Sequence, residues 1–227
     1  VTVSADAAAL PTAAAGAPSV GHRPGGLGNP VLGMLLFITS EVMFFAGLFA
    51  AYFSIRAGFT ETVNGVATHV WPPAAYVGLL DPFRLTTESG APNMIVPATI
   101  ILILSSFVCQ FAIRAIRRGD QRTFVRAIGL TLAMGVAFLL LQAYDYSVLM
   151  REGLSIGGST FGTTYFTLTG FHGLHVLGGT LMLAAVFYRG RTGQFSARRH
   201  DMPEAVSLYW HFVDVVWVVL FSVLYLL

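Results

Sequence analysis

The chain has 227 residues, 55% of them hydrophobic and 11% charged, with a formal net charge of +2. Its mean hydropathy of +0.71 excludes an ordinary soluble domain, and so small a charge argues against a nucleic-acid surface. Cys109 is the single cysteine, which excludes an intrachain disulfide and a thiolate metal cluster; it reads as a small apolar filler.

Residues 1–30 are rich in Ala, Gly and Pro and hold no apolar run long enough for a secretory signal, so a flexible tail is expected there. A spanning helix needs about 20 mainly apolar residues. Five stretches qualify, near 31–55, 97–114, 125–146, 161–188 and 205–226. The expectation is an all-α, polytopic membrane protein in which residues 31–227 form one bundle of five transmembrane helices. The first span carries Glu41 within ITSEVMFFAG and stops before Arg56. The long connection that follows holds Trp71-Pro72-Pro73, Asp81-Pro82 and Pro92-Asn93. Prolines at that density predict a fixed irregular path rather than a helix, with Trp71 at the membrane interface. The second span contains Ser105-Ser106, small residues that permit close helix approach. The third ends in LQAYDY, which puts Asp145 near a membrane boundary. The fourth holds His172 and His175 in FHGLHVLGG, with Gly170, Gly173, Gly178 and Gly179 marking tight packing. The fifth carries His211 and Asp214 in WHFVDVVW.

All 13 basic residues are Arg. Arg114, Arg117, Arg118, Arg122 and Arg126 surround the 2–3 connection, and Arg189, Arg191, Arg198 and Arg199 the 4–5 connection. The 3–4 connection has Arg151 alone. The positive-inside rule then predicts a cytoplasmic N-terminus and an external C-terminus. Anionic headgroups are the expected partners of these clusters.

An ionisable side chain at mid-bilayer costs about 2.5–3.5 kcal/mol on insertion scales, so Glu41, His172, His175, His211 and Asp214 call for partners or a task. At 1.5 Å per residue Glu41 lies roughly 15 Å from the cytoplasmic side, Asp214 about 14 Å, His211 about 9 Å, His175 about 20 Å and His172 about 24 Å. Glu41, His175, His211 and Asp214 are thus expected to share one layer. Two readings of the pairs stand side by side. Residues three apart share a helix face, and two His with a carboxylate form a plausible metal-ligand set. The reading adopted is a buried hydrogen-bonded network of all five residues that holds the helices in register, with no metal, cofactor or catalytic residue in the chain. Glu41, among Val42, Met43, Phe44 and Phe45, is expected to be neutral or strongly hydrogen-bonded.

SEVMFFAG with Glu41, Trp71-Pro72-Pro73, Leu141-Gln142-Ala143, Phe171-His172-Gly173-Leu174-His175 and Trp210-His211-Phe212-Val213-Asp214-Val215-Val216-Trp217 occur in this order over about residues 31–227. In these segments the chain resembles subunit III of the haem–copper cytochrome c oxidases, in the five-helix bacterial form that lacks the first two of the family's usual seven helices. Asp145 stands where the family usually has Glu. The resemblance implies a non-catalytic subunit of the complex that reduces oxygen to water and pumps protons. It would pack against subunit I, its main contact, and accompany subunit II, with haem and copper held by those partners and none by this chain. It implies a bacterial plasma membrane, support of proton uptake, protection from inactivation during turnover, and structural phospholipid in a cleft between spans 1–2 and spans 3–5. A respiratory supercomplex is a compatible wider setting. Arg189, whose fork of donors suits phosphate, and His211 are the expected lipid contacts. A quinol oxidase subunit III is the nearest alternative, disfavoured by the Trp71-Pro72-Pro73 connection. An autonomous transporter is the alternative of another class, disfavoured by the absence of internal repeats and of matched broken helices.

Overall fold

The computed structural model describes residues 28–63, 66–69, 71–73, 76–86 and 90–227, so nearly all of the expected N-terminal tail lies outside the described residues. Five helices long and apolar enough to cross a membrane follow one another: α1 (Asn29–Gly58), α2 (Ile95–Arg117), α3 (Gln121–Arg151), α4 (Thr160–Arg191) and α5 (Asp201–Phe221). α5 continues as a π-helical turn, Ser222–Leu226. The protein is an all-helical, multi-pass membrane protein.

Each helix outruns the apolar window that announced it. α3 has 31 residues, about 46 Å of helix against a hydrocarbon layer of about 30 Å. Cap and turn residues fix several of the ends. Pro30 sits in the first turn of α1, where a missing N–H costs nothing. Gly119, at φ +81°, reverses the chain after α2. Asp120 then caps α3, its Oδ1 accepting from the Thr123 amide at 3.0 Å. Hydrogen bonds from the Thr123 side chain and then its amide hold the Asp120 carboxyl below the ordinary 3.8. Ser159 caps α4 by accepting from the Gly162 amide at 2.9 Å. At the opposite, arginine-rich end, Arg117 grips Glu204 through Nε (2.7 Å) and a terminal nitrogen (2.6 Å), tying the end of α2 to the start of α5.

α5 is the central element, packing on α1, α2 and α4, while α2 lies most extensively along α3. Two tryptophans set the register. Trp210 donates from Nε1 to Ser105 Oγ at 2.9 Å, and Trp217 to Thr99 Oγ1 at 3.0 Å. Hydrocarbon offers an indole N–H no partner, so sliding α2 along α5 would orphan both donors. Trp210 also needs room: a Cβ on Gly135 would lie 2.7 Å from its ring, and one on Gly179 2.9 Å. Of the four α4 glycines expected to mark close packing, Gly179 does so; nothing lies within 4 Å of a Cβ at Gly170 or Gly173.

The expected cleft between spans 1–2 and spans 3–5 is not how the helices sort. The indole bonds pull α2 onto α5 and its apolar face onto α3, and α1 packs chiefly on α5. The long 1–2 connection also differs from an irregular path. It contains an antiparallel pair, β1 (Glu61–Val63) and β2 (Val66–Thr68), in register Glu61↔Thr68. The Asn64-Gly65 dipeptide between them is the sequence signal for such hairpins. Trp71, half-buried, donates from Nε1 to the Tyr52 hydroxyl at 2.9 Å and its ring meets Phe161 at 5.1 Å, folding the connection onto the bundle.

Candidate functional site

Helix rotation sorts the five candidate residues Glu41, His172, His175, His211 and Asp214 into two pairs and a singleton. The first pair joins α1 to α4. His175 Nε2 lies 2.9 Å from Glu41 Oε2, and His175 Nδ1 lies 2.7 Å from the Phe171 carbonyl oxygen one turn earlier. A carbonyl only accepts, so Nδ1 carries hydrogen and donates. The remaining proton then lies on the Glu41–His175 axis, either on the carboxyl or on Nε2, and the pair is net neutral in both arrangements. Phe44 stacks on the imidazole at 6.0 Å and Phe45 approaches it at 4.9 Å. The site therefore holds one exchangeable proton between two polar groups in an apolar sleeve. Their side chains remain 18% and 15% exposed, enough for a neighbouring molecule to reach them.

The second cluster joins α2 to α5 through Ser106. The Ser106 hydroxyl donates to Asp214 Oδ2 and lies 2.8 Å from His211 Nδ1. With its one proton committed to the carboxylate, the hydroxyl accepts from Nδ1–H. His211 Nε2, bare when Nδ1 carries the hydrogen, lies 3.3 Å from the Gln110 side-chain amide, which can meet it with its N–H2 end turned inward. The order Asp–Ser–His differs from that of a nucleophilic triad, where the imidazole lies between the other two and the serine gives it a proton. This cluster clasps two helices and activates no nucleophile. Asp214 Oδ1 is buried without a hydrogen-bond partner among the described residues.

His172 joins neither pair. It is fully buried, stacked on Trp217 at 4.9 Å and edge-on to Phe138 at 6.1 Å. Neither of its ring nitrogens has a hydrogen-bond partner among the described residues. The expected single layer is thus divided: no hydrogen bond or ion pair among the described residues links Glu41–His175 to Ser106–His211–Asp214. The imidazole of His172 serves as a flat ring in the core. His172→Phe is expected to keep the packing, remove two unpaired polar atoms and raise thermal stability by about 1 kcal/mol. Melting in detergent followed by circular dichroism checks this; a marked loss of stability would show that the nitrogens are bonded.

Among the described residues, no three His, Cys, Asp or Glu side chains converge as a metal site. Cys109 is fully buried, its thiol 3.5 Å from Ser207 Oγ. The two expected lipid contacts lie apart. Arg189 lines a depression at the arginine-rich end together with Arg198, Arg199 and Phe195. Its Nε donates to Gln194 Oε1 at 2.8 Å and its guanidinium lies 5.4 Å over the Phe195 ring. His211, ten residues along α5 from Asp201, is half-buried and lies against Ser106 and Gln110. Ser106 and Gln110 were not expected in the polar clusters. Ser106 reads in sequence as a packing residue, and the amide of Gln110, set in an apolar run, is the sequence signal for its place in the cluster.

The family model described as cytochrome c oxidase subunit III matches residues 26–227. A probable cytochrome c oxidase subunit 3 of Mycobacterium tuberculosis is 42% identical over 196 residues, covering 86% of this chain and 86% of the relative. A probable cytochrome c oxidase subunit 3 of Nocardia farcinica is 37% identical over 94% of this chain and 98% of its own. A cytochrome c oxidase subunit 3 of Corynebacterium diphtheriae is 40% identical, covering 86% of each. With a matched region that takes in all five spans, the chain belongs to the cytochrome c oxidase subunit III family.

Proposed function

We propose that this chain is the non-redox third subunit of a proton-pumping haem–copper cytochrome c oxidase in a bacterial plasma membrane. Subunits I and II hold the haem and copper, and subunit I is the main contact. The N-terminus lies in the cytoplasm and the C-terminus outside, as the arginine distribution favours. The observation that carries the reading is the Glu41–His175 pair. A family member with one exchangeable proton held between two side chains in mid-span suits a support to proton uptake better than a redox centre. Arg189, Arg198 and Arg199 supply a cationic depression for a phospholipid phosphate, with Phe195 under the Arg189 fork. Lipid held there would brace the subunit against its neighbours.

A tagged copy expressed in its own membranes and purified in mild detergent tests the assignment. Haem absorbance and the masses of larger membrane subunits are expected to travel with the tag. Recovery of the chain without haem, from membranes that consume oxygen through a haem–copper oxidase, would overturn it.

A further inference from the structure

α2 and α3 lie along each other more extensively than any other two helices, yet the seam between them is not flush. Small side chains floor it: Ala115 on α2, with Thr123 and Ala127 on α3. Both alanines are buried. Larger, exposed side chains stand on either side, Phe107 and Phe111 of α2 and Leu130 of α3. The result is a furrow made of two depressions, of about 490 and 270 Å³, that join at Phe111 and Thr123.

One end of the furrow is apolar and the other cationic. Phe107 lies ten residues before Arg117 and Leu130 nine residues after Gln121, about 15 and 13 Å into their helices, at the level of hydrocarbon. The opposite end reaches Arg114, Arg118 and Arg126. Among the described residues no hydrogen bond or ion pair engages these three guanidinium groups, whereas Arg117 is bound to Glu204 and Arg189 to Gln194. The carboxyl at that end, Asp120, lies within electrostatic reach of Arg126 but already accepts from the Thr123 amide. One carboxylate against three guanidinium groups leaves the mouth positive. An unfilled furrow forfeits dispersion contacts along its lining, so an acyl chain is drawn into it. Free guanidinium groups at headgroup level favour anionic lipid, and each fork can take two phosphate oxygens. A charged group at the end of a long apolar chain is the shape that both halves of the furrow match together.

We propose that the α2–α3 furrow is a binding site for an anionic phospholipid of the leaflet at the arginine-rich end. Its acyl chain lies along Phe107, Phe111 and Leu130, and its phosphodiester rests on Arg118 and Arg126. The site is separate from the Arg189 depression and requires only the five-helix bundle, not the oxidase assignment.

Phe107→Trp puts a fluorescent ring on the wall of the furrow in place of another aromatic. The full chain carrying it is reconstituted in dioleoylphosphatidylcholine vesicles, and the signal of the native tryptophans is subtracted. One set of vesicles holds a minor fraction of dibrominated phosphatidylglycerol, the other the same fraction of dibrominated phosphatidylcholine. Quenching by the phosphatidylglycerol is expected to be several-fold the stronger. Arg118→Gln combined with Arg126→Gln should bring the two lipids level, and Arg189→Gln should not. The replaced arginines of the furrow are exposed, so their variant should melt like the parent. Equal quenching before those arginines are removed would overturn the site. A preference that outlives them would do the same, since diffuse attraction by the remaining arginines would then account for it. Excess glycerol phosphate in the buffer is expected to leave the preference in place; its abolition would point to a soluble phosphate and overturn the lipid. As a second measurement, native mass spectrometry of the chain without the tryptophan label should find one phosphatidylglycerol fewer on the double arginine variant than on the parent. An equal number on both would count against the furrow.

Discussion

Glu41→Ala is expected to leave the initial rate of oxygen reduction within about twofold of the parent while the rate decays much sooner under continuous turnover. The distinction follows from what Glu41 touches. Among the described residues its carboxyl bonds His175 Nε2 at 2.9 Å, and the other imidazole nitrogen is committed to the Phe171 carbonyl. Removing the carboxyl takes the exchangeable proton out of the pair and strands Nε2 in an apolar sleeve. The second effect costs up to about 1.7 kcal/mol on the scale of hydrogen bonds between membrane helices. Glu41→Gln separates the two: its amide N–H still reaches Nε2, so packing is kept while the titratable proton is lost. The Gln variant should therefore melt like the parent yet show the early decay. Turnover followed over many cycles with both variants is the measurement. An immediate loss of turnover in either would place Glu41 in the catalytic path and refute a supporting role.

Ser106→Ala carries the largest expected loss of stability in the bundle for so small a change. One hydroxyl serves two partners, donating to Asp214 Oδ2 and accepting from His211 Nδ1. Asp214 Oδ1 is already without a partner among the described residues, so the alanine leaves the whole carboxyl unpaired together with one imidazole nitrogen. An orphaned buried polar group costs about 1–3 kcal/mol in water-soluble proteins, and membrane values run lower. A loss of about 2 kcal/mol for the purified chain is the expectation. Adding His211→Phe and Asp214→Leu to Ser106→Ala should recover most of it, because the half-buried Gln110 amide is then the one member of the cluster left without its partner. Thermal melts of the single and triple variants decide the matter. A single variant as stable as the parent would mean that the hydroxyl does not tie the helices.

The first cluster was half legible in the sequence. Glu41 and His175 stand out as ionisable residues in apolar runs, and helix rise alone put them within a few ångströms of the same depth. His172 stays outside the expected network for a geometric reason. Three residues of α-helix leave about 60° between two side chains, and here that angle sends His175 to α1 and His172 against Trp217 and Phe138. His211 and Asp214 are joined through a serine on another helix rather than directly. The grouping of spans 1 and 2 that the resemblance implies is not legible in the sequence either: the indole donors of α5 bond α2.

By itself the sequence determined the five spans, the arginine-rich end, the resemblance to a subunit family and which side chains have to be explained. These are properties of runs of about 20 residues and of charge counted along them, so they need no knowledge of neighbours. The tertiary structure decided the pairings, the two separate polar clusters and the furrow between α2 and α3. Each depends on how one helix is rotated and slid against another. That setting comes from buried tryptophans finding hydroxyls and close-packing glycines on other helices, partners that local periodicity does not name.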